Sequence, residues 1–538
     1  MKALTAAEMR EVDRLTSERD GLPTLQLMEN AGKAVADFLR SSFTDAAYKG
    51  AVVLCGKGNN GGDGLVVARL LQERGAKPAV YLFAPSESVR GDAAENLKRY
   101  QECGGKLEVV TSSEQWDTAR RTVAKARLIV DALLGTGLKG RVEGLLATVI
   151  EDVNQLSREC TAVMPEMVLA LDTPSGLPSD GGSADGPVLQ AHVTVTFTAP
   201  KIGQLISKDA GRVGRLLVRE IGSPRGLVEQ VGKSNVRWLE HEEFRALPLV
   251  RRADSHKGDY GHVLLVAGSK GKSGAAILAG RGALRAGAGL VTVATPDSIL
   301  PIIAAGQPEL MTEALGETET GSIALANWEN GRFAAVLKGK TVLAIGPGLS
   351  TDPETQQFVR TVAQQSELPV ILDADGLNAF AGRASDLRRR KAKFLAITPH
   401  PGEMARLLRK TSDEVQADRA GAALQAAADG NVHVVLKGFH TIIATPEGQV
   451  FVNTTGNPGM AKGGSGDVLT GILAGLMAQF GIAEGERVLG FGVFLHGLAG
   501  EDATSARARA AAPLLAGELA DVLPLTCRRV VAEMQASG

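Results

Sequence analysis

The sequence predicts two α/β domains, each a parallel sheet with helices on both faces. Three observations lead there. Short apolar runs alternate with longer segments of helical period almost throughout, the pattern of repeated strand–helix units. The chain has 538 residues, well beyond one ordinary domain of roughly 100–150. The alternation lapses at 222–237, GSPRGLVEQVGKSNVR, and then resumes. These features divide the chain into domains 1–222 and 236–538 with a linker at 223–235.

The opening MKALTAAEMREVDRL has the spacing of an amphipathic helix and lacks the continuous apolar core of a signal peptide. Strands are predicted at 51–55, 79–83, 107–110, 127–133, 167–172 and 192–197, with helices such as 64–74 and 92–103 between them. The second series of strands is predicted at 262–268, 289–295, 341–346, 369–375, 394–398 and 433–438. The polar segment 316–332 reads as a surface excursion, and 464–531 as a helix-rich tail.

Hydrophobic residues make up 44%, enough for a full core in each domain. Lys+Arg total 59 and Asp+Glu 60, so no global basic field collects nucleic acid or anionic lipid. No stretch reaches the ~18 uncharged apolar residues of a membrane span. Cys55, Cys103, Cys160 and Cys527 lack metal or disulfide spacing, so a reducing cytoplasm is expected. Cys55, in an apolar run, reads as a core thiol. Low aromatic content, 4%, leaves a homo-oligomer open. Glycine is the outlier: 64 residues, about 12% against a usual ~7%.

The glycines concentrate at strand ends. GKGNNGGDG, 56–64, follows a buried strand and opens a helix. Backbone amides there can approach an anion closely, helped by the helix N-terminus. It is neither a dinucleotide fingerprint nor a Walker A loop. Asp131 ends another strand before the glycine/threonine loop 135–141, and Asp172 ends a third in LDTPSGL, with Ser175 three residues on. Alone, either aspartate reads equally as a cap or turn residue. Together, three such strand ends point to one cleft whose oxygens suit a hard cation.

GKGNNGGDG, DALLGTGLKG, LDTPSGL and the opening LTAAEMREVDRL…LMENAG together resemble the epimerase domain of the NAD(P)H-hydrate repair enzymes, over about 1–220. The resemblance implies a Rossmann-like three-layer fold and interconversion of the R and S epimers of hydrated NADH or NADPH. It implies a bound potassium ion with Asn60, Asp131 and Ser175 as ligands. Substrate contacts are implied for the loop Asn59, Asn60, Gly61, Gly62 and Asp63. They are also implied for the loop Gly135, Thr136, Gly137, Leu138, Lys139, Gly140 and Arg141, and for Asp172. Asp172 is the candidate acid/base.

In the second half, NPGMAKGGSGDVLTGILAGLMAQ, 457–479, places Gly463, Gly464, Gly466 and Asp467 where a long apolar helix begins. Amides at such a terminus make an anion hole, and a carboxylate beside it can deprotonate an attacking hydroxyl. A plain N-terminal aspartate in a glycine turn is the structural alternative. This GxGD resembles the ribokinase-like fold. With HKGDYGHVLLVAGS, ALRAGAGLVTVAT, AIGPGLS, ILDADGLN, TPHPGE and VLKGFHT in order, the region 240–530 resembles the ADP/ATP-dependent NAD(P)H-hydrate dehydratases.

That resemblance implies Asp467 as base and substrate contact, and Ala275, Gly348 and His400 lining the hydrate site. Lys437, Gly438, Phe439, His440, Thr441 and Gly466 would hold ADP, with ATP as the alternative, and Mg2+ would accompany it. His400 reads equally as a loop cap. Asp375 and Asn378 would contact magnesium or substrate, and Asp373 reads equally as structural. The chain is expected to epimerise (R)- to (S)-NAD(P)HX and dehydrate the S form with ADP. A small-alcohol kinase in the second domain, or a first domain that binds without catalysing, are the rival readings.

Overall fold

The computed structural model describes residues 1–42, 50–138, 140–159, 167–505 and 514–536. Two compact units divide at Met1–Trp238 and Leu239–Gly538.

In the first unit β1 (Ala51–Cys55), β2 (Ala79–Leu82), β3 (Leu107–Val109), β4 (Leu128–Ala132), β5 (Met167–Leu171), β6 (Val193–Phe197) and β7 (Arg215–Arg219) form one sheet in the order β3-β2-β1-β4-β5-β6-β7. Every pairing is parallel. β1, β4 and β6 are buried at every position, as strands covered on both faces must be. The strand order reverses direction between β1 and β4, and the crevice at such a switch point is where open α/β sheets bind ligands. β7 was not predicted; RLLVR carries arginines at both ends that mask its apolar run.

The expected amphipathic start is the helix Ala6–Asp20, opened by a capping box of Thr5 and Glu8. The expected linker 223–235 is instead ordered structure of the first unit. The helix Arg225–Val231 buries Leu227 and Val228 in a cluster with Met1, Leu4, Met9 and Val12. A short strand β8 (Val236–Trp238) bridges back to Lys2 through Arg237. The polar look of this stretch comes from a two-turn helix with only one apolar face.

In the second unit β9 (His262–Val266), β10 (Leu290–Pro296), β11 (Met311–Leu315), β12 (Val342–Ile345), β13 (Val370–Leu372), β14 (Leu395–Ile397), β15 (His433–Leu436), β16 (Thr441–Ala444) and β17 (Val450–Asn453) follow the order β11-β10-β9-β12-β13-β14-β15-β16-β17. The pairing is parallel through β15 and antiparallel for β16 and β17. The order again reverses beside the first strand, between β9 and β12. The segment 316–332 is less superficial than expected: Ser322 and Ile323 are fully buried.

The helices Ser273–Arg285 and Ser465–Phe480 pack backbone to backbone. A Cβ on Gly471 would stand 1.9 Å from the carbonyl oxygen of Ala279, and one on Gly475 2.6 Å from that of Ala283. No single helix among the described residues is long and apolar enough to cross a membrane.

Leu227→Ala should destabilise the first unit by about 2–5 kcal/mol, read from urea unfolding of the full chain. A stability within experimental error of the parent would restore the linker reading.

Candidate functional site

In the first unit a cavity of about 1210 Å³ is lined by Asn59, Asn60 and Asp63, by 135–138, and by Asp172 and Lys201. Asn59–Asp63 are not a loop, as expected, but the first turns of the helix Asn59–Glu73. The reason is close packing: a Cβ on Gly61 would stand 1.8 Å from the carbonyl oxygen of Gly56, so glycine lets the helix start against the loop after β1. Gly62 likewise packs against Met28 and Ala93. Gly140 and Arg141 lie beyond the lining segment, where Arg141 faces Glu143 at 3.9 Å. Lys139 and Cys160 lie outside the described residues.

Asp131, the fourth residue of β4, is fully buried. Its Oδ2 accepts from the Ser175 amide at 2.8 Å, and its Oδ1 from the Ser175 hydroxyl at 2.6 Å and the Leu133 amide at 3.2 Å. Burial pushes its carboxyl up to about 6 against these hydrogen bonds. Asn60 donates to the Leu134 carbonyl at 3.0 Å, leaving its own Oδ1 buried without a partner. A buried amide oxygen with nothing to accept from is costly. Beside a carboxylate and a hydroxyl, it makes an oxygen donor set suited to a hard cation.

Asp172 sits just past β5 with φ at 58°, a left-handed backbone that non-glycine residues adopt only when held there. It is held on three sides. Lys201 Nζ donates to its Oδ1 at 2.5 Å, Thr196 Oγ1 donates to the same oxygen at 3.0 Å, and Gln204 donates to its carbonyl at 2.5 Å. Lys201 is 1% exposed and also donates to the Phe197 carbonyl at 3.2 Å.

In the second unit Asp467 lies in the first turn of Ser465–Phe480, whose N-cap Gly464 has φ at 96°. Burial, then the nearby Asp373 carboxylate, raise Asp467 to about 7, with Lys437 pulling the other way. Lys437, just past β15, donates to Asp373 Oδ1 at 2.6 Å and faces Glu403 at 3.8 Å. Burial opposes its charge, yet these two carboxylates hold its ammonium above the ordinary lysine range. Asp373 Oδ2 in turn accepts from Thr470 Oγ1 at 2.6 Å. One carboxylate thereby fixes the lysine to the helix that carries Asp467. Gly466 is close by: a Cβ there would stand 3.4 Å from Lys437 Nζ.

Gly348 and Ala275 meet, since a Cβ on Gly348 would stand 3.1 Å from that of Ala275. Asp375 Oδ2 accepts from Lys272 at 3.1 Å and from the Ser350 amide at 2.8 Å, and Asn378 donates to Oδ1 at 3.1 Å. His400 caps the helix Pro401–Leu408: its Nδ1 accepts from the Gly402 amide at 3.0 Å while half of the side chain is exposed. The Lys437 amide donates to the Pro399 carbonyl at 2.8 Å, which ties the two turns together. Gly438, Phe439 and His440 form the turn before Thr441 opens β16, and exposed Phe439 stacks on His440 at 3.9 Å. The Arg419 guanidinium holds this turn by donating to the carbonyls of Leu436, Lys437, Phe439 and His440.

Residues 24–203 match the family described as YjeF-related protein N-terminus, and 263–523 the family described as NAD(P)H-hydrate dehydratase. The bifunctional NAD(P)H-hydrate repair enzyme Nnr of Moorella thermoacetica is 45% identical over 536 residues, 99% of this chain and 98% of that one. The chain belongs to the bifunctional NAD(P)H-hydrate repair enzyme family. The Escherichia coli member is 34% identical over 88% of this chain and 84% of its own. A crystal structure of the ADP/ATP-dependent NAD(P)H-hydrate dehydratase from Bacillus subtilis, co-crystallized with ATP/Mg2+, is 37% identical, covering 55% of this chain and 99% of that chain with a TM-score of 0.47. Family membership makes the protein an enzyme of NAD(P)H-hydrate repair, with an epimerase domain followed by a dehydratase domain.

Sequence reasoning missed Lys201, Asp13 and Arg419 as members of these repair sites. Lys201 follows the predicted strand 192–197 by four residues and stands beside a proline. A lysine at a strand end, 29 residues from the aspartate it pairs with, was the available signal.

Asp373→Asn removes the negative neighbour of Asp467 and frees Lys437 to face it. Both changes favour the ionised form, so Asp467 should titrate below its parent value near 7, followed by carboxyl 13C NMR. An unchanged titration would contradict the network.

Proposed function

We propose that the first domain interconverts the (R) and (S) hydrates of NADH and NADPH with a bound potassium ion. The second then dehydrates the (S) hydrate, using ADP with magnesium and releasing AMP and phosphate. The observation that carries the dehydratase reading is Asp467, poised near neutrality at a glycine-opened helix start beside the Lys437 ammonium. Hydration of an enamine double bond places the hydroxyl on the carbon attached to nitrogen. Hydroxide is a poor leaving group there, and phosphate a good one.

Asp467 takes the hydroxyl proton as the oxygen attacks the terminal phosphoryl group of the nucleotide, breaking its bond to the bridging oxygen. The ring nitrogen then expels the phosphate, and loss of a proton from the adjacent carbon restores the double bond. Lys437 and the amide of Gly466 face the phosphates, and the turn Gly438, Phe439, His440 and Thr441 holds the rest of the nucleotide. Ala275, Gly348 and His400 border the hydrate. Magnesium, when bound, neutralises phosphate charge, with Asp375 and Asn378 as the adjoining oxygen donors.

In the first domain Asn60, Asp131 and Ser175 would hold the potassium ion, for which the unpartnered Asn60 oxygen is the support. Asn59, Asn60, Asp63, the segment 135–138 and Asp172 contact the hydrate, with Asp172 as acid/base. The unpaired thiols of Cys55, Cys103 and Cys527 suit a reducing compartment, so a cytoplasmic enzyme is the reading offered.

Racemic hydrated NADH with ADP should return to NADH completely, read as its absorbance. A plateau at half would mean the first domain does not epimerise, and no recovery with ADP or ATP would sink the dehydratase reading. The dehydration rate should rise as pH climbs through about 7, because the base works only after losing its proton. Asp467→Asn should lower that rate by about 10²–10⁴-fold while epimerisation continues.

A further inference from the structure

The epimerase cavity gathers three carboxylates around one ammonium. Asp13 enters from the helix Ala6–Asp20, Asp63 from the helix Asn59–Glu73, Asp172 from the end of β5, and Lys201 from the segment after β6. Asp92, Glu18, Glu143, Lys57, Arg10 and Arg14 border the same cavity. Lys201 is committed: its Nζ donates to Asp172, Thr196 and Phe197. The Asp63 carboxyl has no hydrogen bond among the described residues, and Asp13 has a buried, unpartnered Oδ1.

Like charges crowded into an enclosed space cannot all ionise. With Lys201, the one buried cation lining the cavity among the described residues, spent on Asp172, the proton belongs on the carboxylates that lack it. Burial first, then Asp172 and Asp13, push Asp63 well above the ordinary carboxylate range, and burial raises Asp13 to about 6.

We propose that Asp63 is the general acid of the epimerase and Asp172 its general base, with Lys201 as the positioning residue that fixes which is which. The proposal rests on the epimerase reading above and assigns its proton transfers. Asp172 takes the proton from the hydroxyl of the hydrate, and that oxygen becomes an aldehyde as the bond from its carbon to the ring nitrogen breaks. The electron pair goes to the nitrogen, which receives the Asp63 proton. Rotation presents the other face of the aldehyde. The nitrogen then re-attacks, returning its proton to Asp63, while the oxygen recovers the proton held by Asp172. Every proton goes back to its donor, so the isomerisation consumes no co-reactant.

The test uses the full chain, a single purified hydrate epimer and no nucleotide, so that only epimerisation is read. Asp63→Asn should lower kcat by about 10²–10⁴-fold with KM changed less than about threefold, and should abolish the high-pH fall in kcat that marks loss of the acid's proton. Asp13→Asn removes one negative neighbour and should move that fall to lower pH. Dehydration of the (S) epimer with ADP, measured on the same preparations, verifies that each variant is folded. A parent chain that does not epimerise would overturn the underlying reading. A parent that epimerises, with Asp63→Asn keeping its kcat or its high-pH limb, would overturn this assignment alone, as would an Asp13→Asn profile that does not move.

Discussion

Both sites hang on a buried lysine–aspartate pair at the carboxyl ends of a parallel sheet. An ammonium withdrawn from water is tolerated only with a partner at hydrogen-bond distance, and each pair meets that demand at 2.5 or 2.6 Å. The two pairs are wired differently. In the first domain the lysine binds the site carboxylate itself, Asp172, and leaves Asp63 and Asp13 without a counter-charge, so that they retain a proton more readily. In the second domain Lys437 binds Asp373, and Asp467 next to it is left near neutrality. The choice of partner sets which carboxylate is anionic and which can hold a proton.

Glycine lets the backbone reach these arrangements. Gly61 brings the helix start against the loop after β1, and Gly471 and Gly475 let the helix bearing Asp467 press onto Ser273–Arg285. The glycine excess therefore reflects close approach of main chain to main chain as much as anion binding. It does not reflect looseness, since the strands beside these glycines are buried at nearly every position.

Much of this was legible in the sequence. Parallel strands that are covered on both faces read as continuous apolar runs, so β1, β4, β9 and β12 stand out, and glycine-rich strand ends mark the switch points. Short or charged strands such as β7 and β11 carry no such run. The motif VLKGFHT spans the turn from β15 to β16, where the pairing changes from parallel to antiparallel. The helical start at Asn59 was hidden because NNGGD is a poor helix former by propensity, and packing against Gly56 overrides that preference. The motif aspartates were visible because glycines flag them. Lys201 and Asp13 were not, because a lone lysine after a strand and a lone aspartate on an amphipathic helix look like ordinary surface residues until the fold buries them together. Asp373, ambiguous by itself, acquires its place only through Lys437 and Thr470, 64 and 97 residues away.

The most direct test of the lysine's control is the epimerisation rate of a Lys201→Met full chain given one hydrate epimer, with its nucleotide-driven dehydration of the (S) form measured alongside. Loss of the buried ammonium should release Asp172 from its held conformation and deprive it of its counter-charge. Epimerisation is expected to fall by about 10²-fold or more with dehydration intact. Epimerisation at the parent rate in that variant would contradict the lysine's control.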